Sequence, residues 1–237
     1  MYTNLLVSLQ LLGGAGVFYD GDRAFPQVLP SQIIVSNTQQ NTTTKGNFLD
    51  MLAALGVRET GIPVGDSKQY QFVNPELGFL GKYQFAEVLL IRLGYYKAKV
   101  YFGNGANKNY WRGTWTGKAG ITSKSKLLNS PQVQEKAIRE AFSVYYQDIN
   151  YLLQKRKKAL NNYLGKQINF RDQGKSKSVK ITLSGVLAAA HLKGPDKLVD
   201  FLVSGRVTKD PFGTSITSYL EEFGGFNIQL KDFFVPL

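Results

Sequence analysis

Cysteine is absent from the 237 residues, so there is no disulfide framework and no thiolate zinc site, and redox chemistry says nothing of compartment. Histidine occurs once, as His191, which rules out a polyhistidine metal site. No metal or organic cofactor is implied. No stretch approaches the roughly 20 apolar residues of a membrane-spanning helix. Residues 5–18 are moderately apolar, yet they contain Gln10 and follow no Lys or Arg, which makes a poor signal peptide. With Met1 retained, the expectation is a protein not secreted by the usual route, at work in a virion or an infected bacterium. Acidic residues are the scarcer charge: 17 Asp+Glu stand against 29 Lys+Arg, a net +12. That balance favours a polyanionic partner, whether nucleic acid, a membrane surface or a cell wall bearing phosphate polymers and peptide carboxylates.

What is present suits one sizeable domain with an appendage. Residues 1–46 differ from the rest: an apolar start broken by Gly13, Gly14 and Gly16, prolines at 26 and 30 around short β-like runs, then the almost uncharged SNTQQNTTTKG of 36–46, which reads as a linker. The expectation is a docking arm over 1–46, directed at another subunit or packed on its own domain, and a folded domain over 47–237. In that domain the periodicity predicts helices over 47–59, 82–93, 131–164, 182–192 and 215–223, with another starting at Gly194-Pro195. Ser130 before Pro131 is a natural helix start. Residues 70–73 alternate as one strand of a small hairpin would. Residues 155–180 hold nine Lys or Arg against one Asp, which reads as a solvated basic face, with a grip on an anionic polymer as the functional alternative.

The stretch that organises the chain is 48–85. Asn47 caps an apolar helix ending at Glu59, where the unfavourable end of the helix dipole and apolar neighbours both raise the carboxyl's pKa. A carboxylic acid still protonated near neutral pH is what donates a proton to a glycosidic oxygen. Glu76 is a rival acid, but beside Asn74 and Pro75 it reads as an exposed loop carboxylate. Asp66, seven residues after Glu59, either faces the acid across a cleft as base or nucleophile, or is a turn residue after Gly65. Tyr110, Trp111 and Trp115 lie in an irregular aromatic segment over 95–115 that suits sugar faces, or else pins a loop to the core.

Three segments carry a resemblance. Glu59-Thr60-Gly61 is similar to the E-[ST]-G of lytic transglycosylases and goose-type lysozymes, and Gly81-Lys82-Tyr83-Gln84-Phe85 to their Gly-x-[MY]-Gln element. The segment 187–199 resembles their L-A-A-Y-N-A-G-P-G-x-V pattern, with one extra residue before Gly194-Pro195 and with Ala190 and His191 where the family has Tyr and Asn. The resemblance implies a mainly α, α+β lysozyme-like fold: a helical bilobal domain with a small β-hairpin. It implies cleavage of the MurNAc–GlcNAc β-1,4 bond of peptidoglycan, with Glu59 as general acid and base. Tyr83 and Gln84 would shape the cleft, or else pack at a helix start, and His191, at the family's Asn position, would offer a substrate hydrogen bond or else be a satisfied helix residue. A wall-cleaving enzyme with a poor signal peptide must reach its substrate another way, as phage lysis enzymes and tail components do, and an arm that meets other virion subunits suits the second; nucleic acid is not the favoured partner. The competing class is an inactive lysozyme-like module kept for assembly or binding.

Overall fold

The computed structural model describes residues 45–209 and 213–234. The arm expected over 1–46 therefore lies outside the described residues except for its last two. Those two are anchored: the Lys45 ammonium donates to the carbonyls of Glu221 and Glu222, and the Asn227 N–H donates to the Gly46 carbonyl.

The chain begins with α1 (Phe48–Thr60), α2 (Lys68–Gln71) and α3 (Glu87–Arg92). Four two-residue strands follow: β1 (Tyr96–Lys97), β2 (Tyr101–Phe102), β3 (Gly105–Ala106) and β4 (Thr114–Trp115). Then come α4 (Lys124–Leu128), the long α5 (Pro131–Lys155), a hairpin of β5 (Gln167–Asp172) and β6 (Lys175–Lys180), and α6 (Leu183–Lys193), α7 (Pro195–Ser204), α8 (Ile216–Glu222) and α9 (Leu230–Phe233). Roughly half of the described residues are helical, and the sheets are three two-stranded pairs: β1–β4 and β5–β6 antiparallel, β2–β3 parallel.

The core forms around α6. From Ser184 to Lys193 every residue of that helix is buried, an all-round apolar pattern that only a central helix can satisfy. Its small residues Gly185, Ala188, Ala189 and Ala190 let α5, α7 and α8 pack on it. α5 turns one stripe inward, with Ala137, Ile138, Ala141, Phe142, Tyr145, Ile149 and Leu153 buried at helical spacing. α1 adds Phe48, Met51, Leu52 and Leu55, and its N-terminus is closed by a reciprocal box in which Asn47 and Asp50 satisfy each other's N–H groups.

Three segments differ from expectation, each for a local reason. Residues 70–73 do not form a hairpin strand. Lys68–Gln71 makes one helical turn, entered through Asp66, and only Val73 bridges to Leu80. The helix predicted from 82 starts at Glu87, because Gly81 to Phe85 closes a tight turn in which Leu80 and Phe85 exchange backbone bonds and Gln84 takes φ 48°. α5 stops at Lys155 rather than near 164, since Lys157 takes the left-handed φ of 54° and Leu160 turns inward to the core. The basic stretch beyond it forms the β5–β6 hairpin. Gln173 (φ 51°) and Gly174 (φ 76°) supply the two left-handed residues of the tight connection, and Phe170 and Val179 are its buried anchors.

Candidate functional site

Glu59 occupies the last turn of α1, and Gly61 ends the helix in the left-handed conformation (φ 69°) directly after Thr60. The carboxyl is fully buried (0% exposed) and accepts a 3.0 Å hydrogen bond from the Tyr219 hydroxyl of α8. Tyr219 is itself buried, and burial first, then the nearby Glu59 charge, pushes its phenol well above the ordinary value. It therefore stays a donor. The Arg58 guanidinium lies over the Tyr219 ring, 5.3 Å from its centroid, and its Nε is 3.6 Å from Glu222.

Next to this pair is a cleft of about 280 Å³ lined by Arg58, Asp172, Lys209, Thr214, Ser215 and Ser218. Arg58 and Ser218 stand one residue before Glu59 and Tyr219, so the cleft wall and the carboxyl–hydroxyl pair share backbone. Asp172 is the carboxylate that lines this cleft; Glu59 itself does not reach its wall. Hydrogen bonds from Lys209 (3.0 Å) and Lys177 (3.1 Å) hold Asp172 below the usual carboxylate range, so it is ionised at neutral pH.

Asp66 sits in the turn before α2, where its side chain accepts from the Lys68 N–H at 2.9 Å and its carbonyl from the Gln69 N–H. Tyr83 and Gln84 lie in the 81–85 turn. Tyr83 is buried and donates its hydroxyl to Glu135, 2.7 Å from both carboxylate oxygens, alongside Tyr70 (2.8 Å) and Lys82 (2.7 Å). Burial and Glu135 raise both phenols, so these tyrosines also remain donors. Gln84 donates to the Gly81 carbonyl at 2.7 Å, while its own side-chain oxygen is sealed from water with no hydrogen-bond partner among the described residues.

His191, in the last turn of α6, is at the centre of the core. Its Nε2–H donates to the Tyr83 carbonyl at 2.9 Å and Nδ1 lies 3.4 Å from the Tyr145 hydroxyl. Burial lowers its pKa to about 4. The imidazole is therefore a neutral cross-brace fixing the 81–85 turn to the central helix.

The aromatic segment is built on other elements. Trp111 and Trp115 stack at 5.6 Å with their planes 14° apart, and Tyr96 packs edge-on to both. The Trp111 indole N–H donates to the Gly78 carbonyl at 2.6 Å. Tyr110 beside them is exposed, with Lys108 and Arg112 over its ring. Beneath lies Glu87, which sequence reasoning passed over: 1% exposed at the start of α3, it accepts the Trp111 N–H at 2.8 Å. Tyr219, Asp172, Glu87 and Glu135 were all missed. Only Asp172 carried a sequence signal, as the one acid among the nine cations of 155–180.

Among the described residues no group of His, Asp and Glu is arranged to hold a metal ion, and no helix is long and apolar enough to cross a membrane. No protein-family model, curated protein or solved structure matches the chain.

Proposed function

We propose that this chain is a peptidoglycan-cleaving glycosidase with a lysozyme-like, bilobal fold, acting on the MurNAc–GlcNAc β-1,4 bond with Glu59 as general acid. The observation that carries the reading is the setting of Glu59: a carboxyl at a helix end, sealed from bulk water and steadied by a buried phenol, with its chain neighbour Arg58 lining a polar cleft. Such an environment is the one in which a carboxylic acid delivers its proton to a leaving sugar oxygen. As that bond breaks, the Glu59 carboxylate takes a proton back, from the sugar's own 6-hydroxyl in a transglycosylase or from water in a hydrolase. Hydrolysis needs a second carboxylate. Asp66 is the residue expected from spacing; Asp172, ionised and in the cleft wall, is the one placed beside Arg58. Gln84, whose buried side-chain oxygen has no partner among the described residues and whose backbone is left-handed, has the unsatisfied polar group typical of a functional site.

A second reading has a specific observation in its favour. Glu59 is completely enclosed and paired with Tyr219, as expected of a lysozyme-like module kept for assembly or binding in a phage tail or injection machine. Residues 1–46 would then be the docking arm, and the wall or other virion subunits its partners.

Mass spectrometry of purified peptidoglycan treated with wild type, Glu59→Gln and Tyr219→Phe separates the readings. Anhydro-MurNAc ends that disappear with Glu59→Gln and diminish with Tyr219→Phe are expected of the transglycosylase. Reducing ends transfer the second role to Asp66 or Asp172. Release of no muropeptide by the folded wild type selects the assembly module.

A further inference from the structure

Residues 93–134 include seven Lys or Arg and no Asp or Glu. Among the described residues only Lys118 of these has an ion-pair partner, Glu140 on α5 at 2.8 Å. The side chains of Lys97, Lys99, Lys108 and Arg112 have neither an ion pair nor a hydrogen bond among the described residues, and all but the half-buried Lys108 are exposed. Two of them converge. The Lys108 ammonium lies 5.2 Å and the Arg112 guanidinium 4.3 Å from the centroid of the Tyr110 ring, whose hydroxyl donates to Asn107 at 2.8 Å. The two cations are thus closer together than about 10 Å, the screening length at moderate salt. The ring attracts each of them without cancelling its charge. The loop that carries them is fixed at three points. Asn109 bonds to the Leu77 carbonyl through its backbone and side-chain N–H groups, both at 2.9 Å, and the Trp111 indole bonds to Gly78. A Cβ on Gly113 would meet the Lys97 carbonyl oxygen at 2.1 Å, so the turn after Arg112 rests directly on β1. Like charges are held together here on a constrained backbone, an arrangement that repels itself in the free protein and attracts a polyanion.

We infer that this lobe binds single-stranded nucleic acid, with phosphates on Lys97, Lys108 and Arg112 and bases against the rings of Tyr110, Trp111 and Trp115. Two chemistries meet in it. The free guanidinium fork of Arg112 matches the oxygens of a phosphate, and the lysines add point charges beside it. The exposed Tyr110 and the half-buried, stacked Trp111 and Trp115 offer the aromatic surface on which unpaired bases pack, whatever their sequence. Each simpler partner uses only part of this. A neutral glycan would use the rings and leave the unpaired cations without a role. A duplex, whose bases are already stacked, would use the cations and leave the rings idle, as would a phosphate polymer that has no bases. A single strand engages both. The β5–β6 hairpin is basic but does not share the combination, because its aromatic side chain, Phe170, is buried. The inference stands apart from the glycosidase reading and needs no catalysis.

The test titrates the full chain with an oligothymidylate, a single strand without stable secondary structure, and follows tryptophan fluorescence. Trp111 and Trp115 are the two tryptophans of the chain, so the signal comes from this lobe. The expected result is saturable quenching that weakens steeply with salt. Lys108→Gln combined with Arg112→Gln is expected to weaken binding several-fold and to flatten the slope of log affinity against log salt by about 0.7 for each cation removed. Neither side chain has an ion-pair partner among the described residues, so the unfolding midpoint of this variant should match the wild type. Lys97→Gln, away from the Tyr110 ring, makes the same comparison should the double variant not fold. Absence of quenching at low salt overturns the inference, as does a folded variant that binds with wild-type affinity and salt slope. Equal binding of a duplex of the same length, or of polyglycerol phosphate, which has phosphodiesters but no bases, would make the lobe an electrostatic patch and overturns it too. Quenching by a chitin oligosaccharide and not by oligothymidylate would give the rings to neutral sugar, sinking this inference while leaving the glycosidase reading intact.

Discussion

At the scale of single residues, the molecule places several ionisable groups where charge is costly, and they respond to pH in opposite senses. His191 is the clearest, with both ring nitrogens turned to protein partners in the centre of the core. Its pKa falls from 6.5 to about 4, so the unfolded chain binds a proton that the folded chain refuses. Stability from this residue is complete above the unfolded value and drains away as pH falls from about 6.5 to about 4, a loss on the order of 3 kcal/mol. Glu87 acts the other way, stabilising the fold most where it is neutral and losing that contribution as pH rises through its raised value. The two are separable by difference. Denaturant unfolding of wild type and His191→Gln at a series of pH values is expected to give curves that converge on acidification. A constant gap would mean that the imidazole does not titrate against folding.

Elements connect these residues, and the tightest junction is α6 against α8. A Cβ placed on Gly185 would meet the Leu220 carbonyl oxygen at 2.7 Å and the Leu220 Cα at 3.3 Å, both backbone atoms that cannot swing aside. Gly185→Ala should therefore push α8 off the central helix, costing about 1–3 kcal/mol. Because α8 carries Tyr219, the same change should weaken the bond to Glu59. The check is paired: thermal unfolding for stability, and any muropeptide release for the site, which should fall further than the stability loss explains. This junction also shows what the sequence could reveal. Helices with chemical end-signals were legible: Asn47 before α1, Ser130-Pro131 before α5, Gly194-Pro195 before α7, Ser215 before α8. The pieces that failed were decided by long-range terms. Residues 82–86 have a helical pattern, yet Gln134 reaches from α5 to accept from the Lys82 N–H and holds that segment as a turn. Tyr219 was unreadable as a partner of Glu59, since 160 residues separate them and no local pattern encodes a hydroxyl pointing across a core. The hairpin was obscured by its own charge, because lysines at alternate positions mask the inward Phe170 and Val179.

Over the whole molecule the net charge is +12, and the β5–β6 hairpin carries four cations, Arg171, Lys175, Lys177 and Lys180, against one acid. Gln167, Asn169 and Arg171 pair with Lys180, Ser178 and Ser176, so one face of the ribbon presents only polar and cationic side chains, all exposed. Asp172 is the one acid in the ribbon and already holds two lysines, Lys177 and Lys209. The others, including Lys166, Lys175 and Lys180, have no ion-pair partner among the described residues and face water. Charges arranged in this way add little to the fold, where an exposed pair contributes at most about 1 kcal/mol. Their field reaches outward about 10 Å at moderate salt. If the wall is the partner, as proposed, retention on it should therefore depend on these charges while stability does not. With Lys166, Lys175 and Lys180 all changed to Gln, the unfolding midpoint should stay within experimental scatter, since each site is exposed and away from the core. Binding to purified walls should drop several-fold at low ionic strength and approach the wild-type value at high salt, where both are screened. Equal loss at every salt concentration would show specific contacts instead of a field, and equal retention of both proteins at low salt would place the wall-binding charge on another face. Steeper weakening on DNA than on walls would make nucleic acid the partner that the basic ribbon serves.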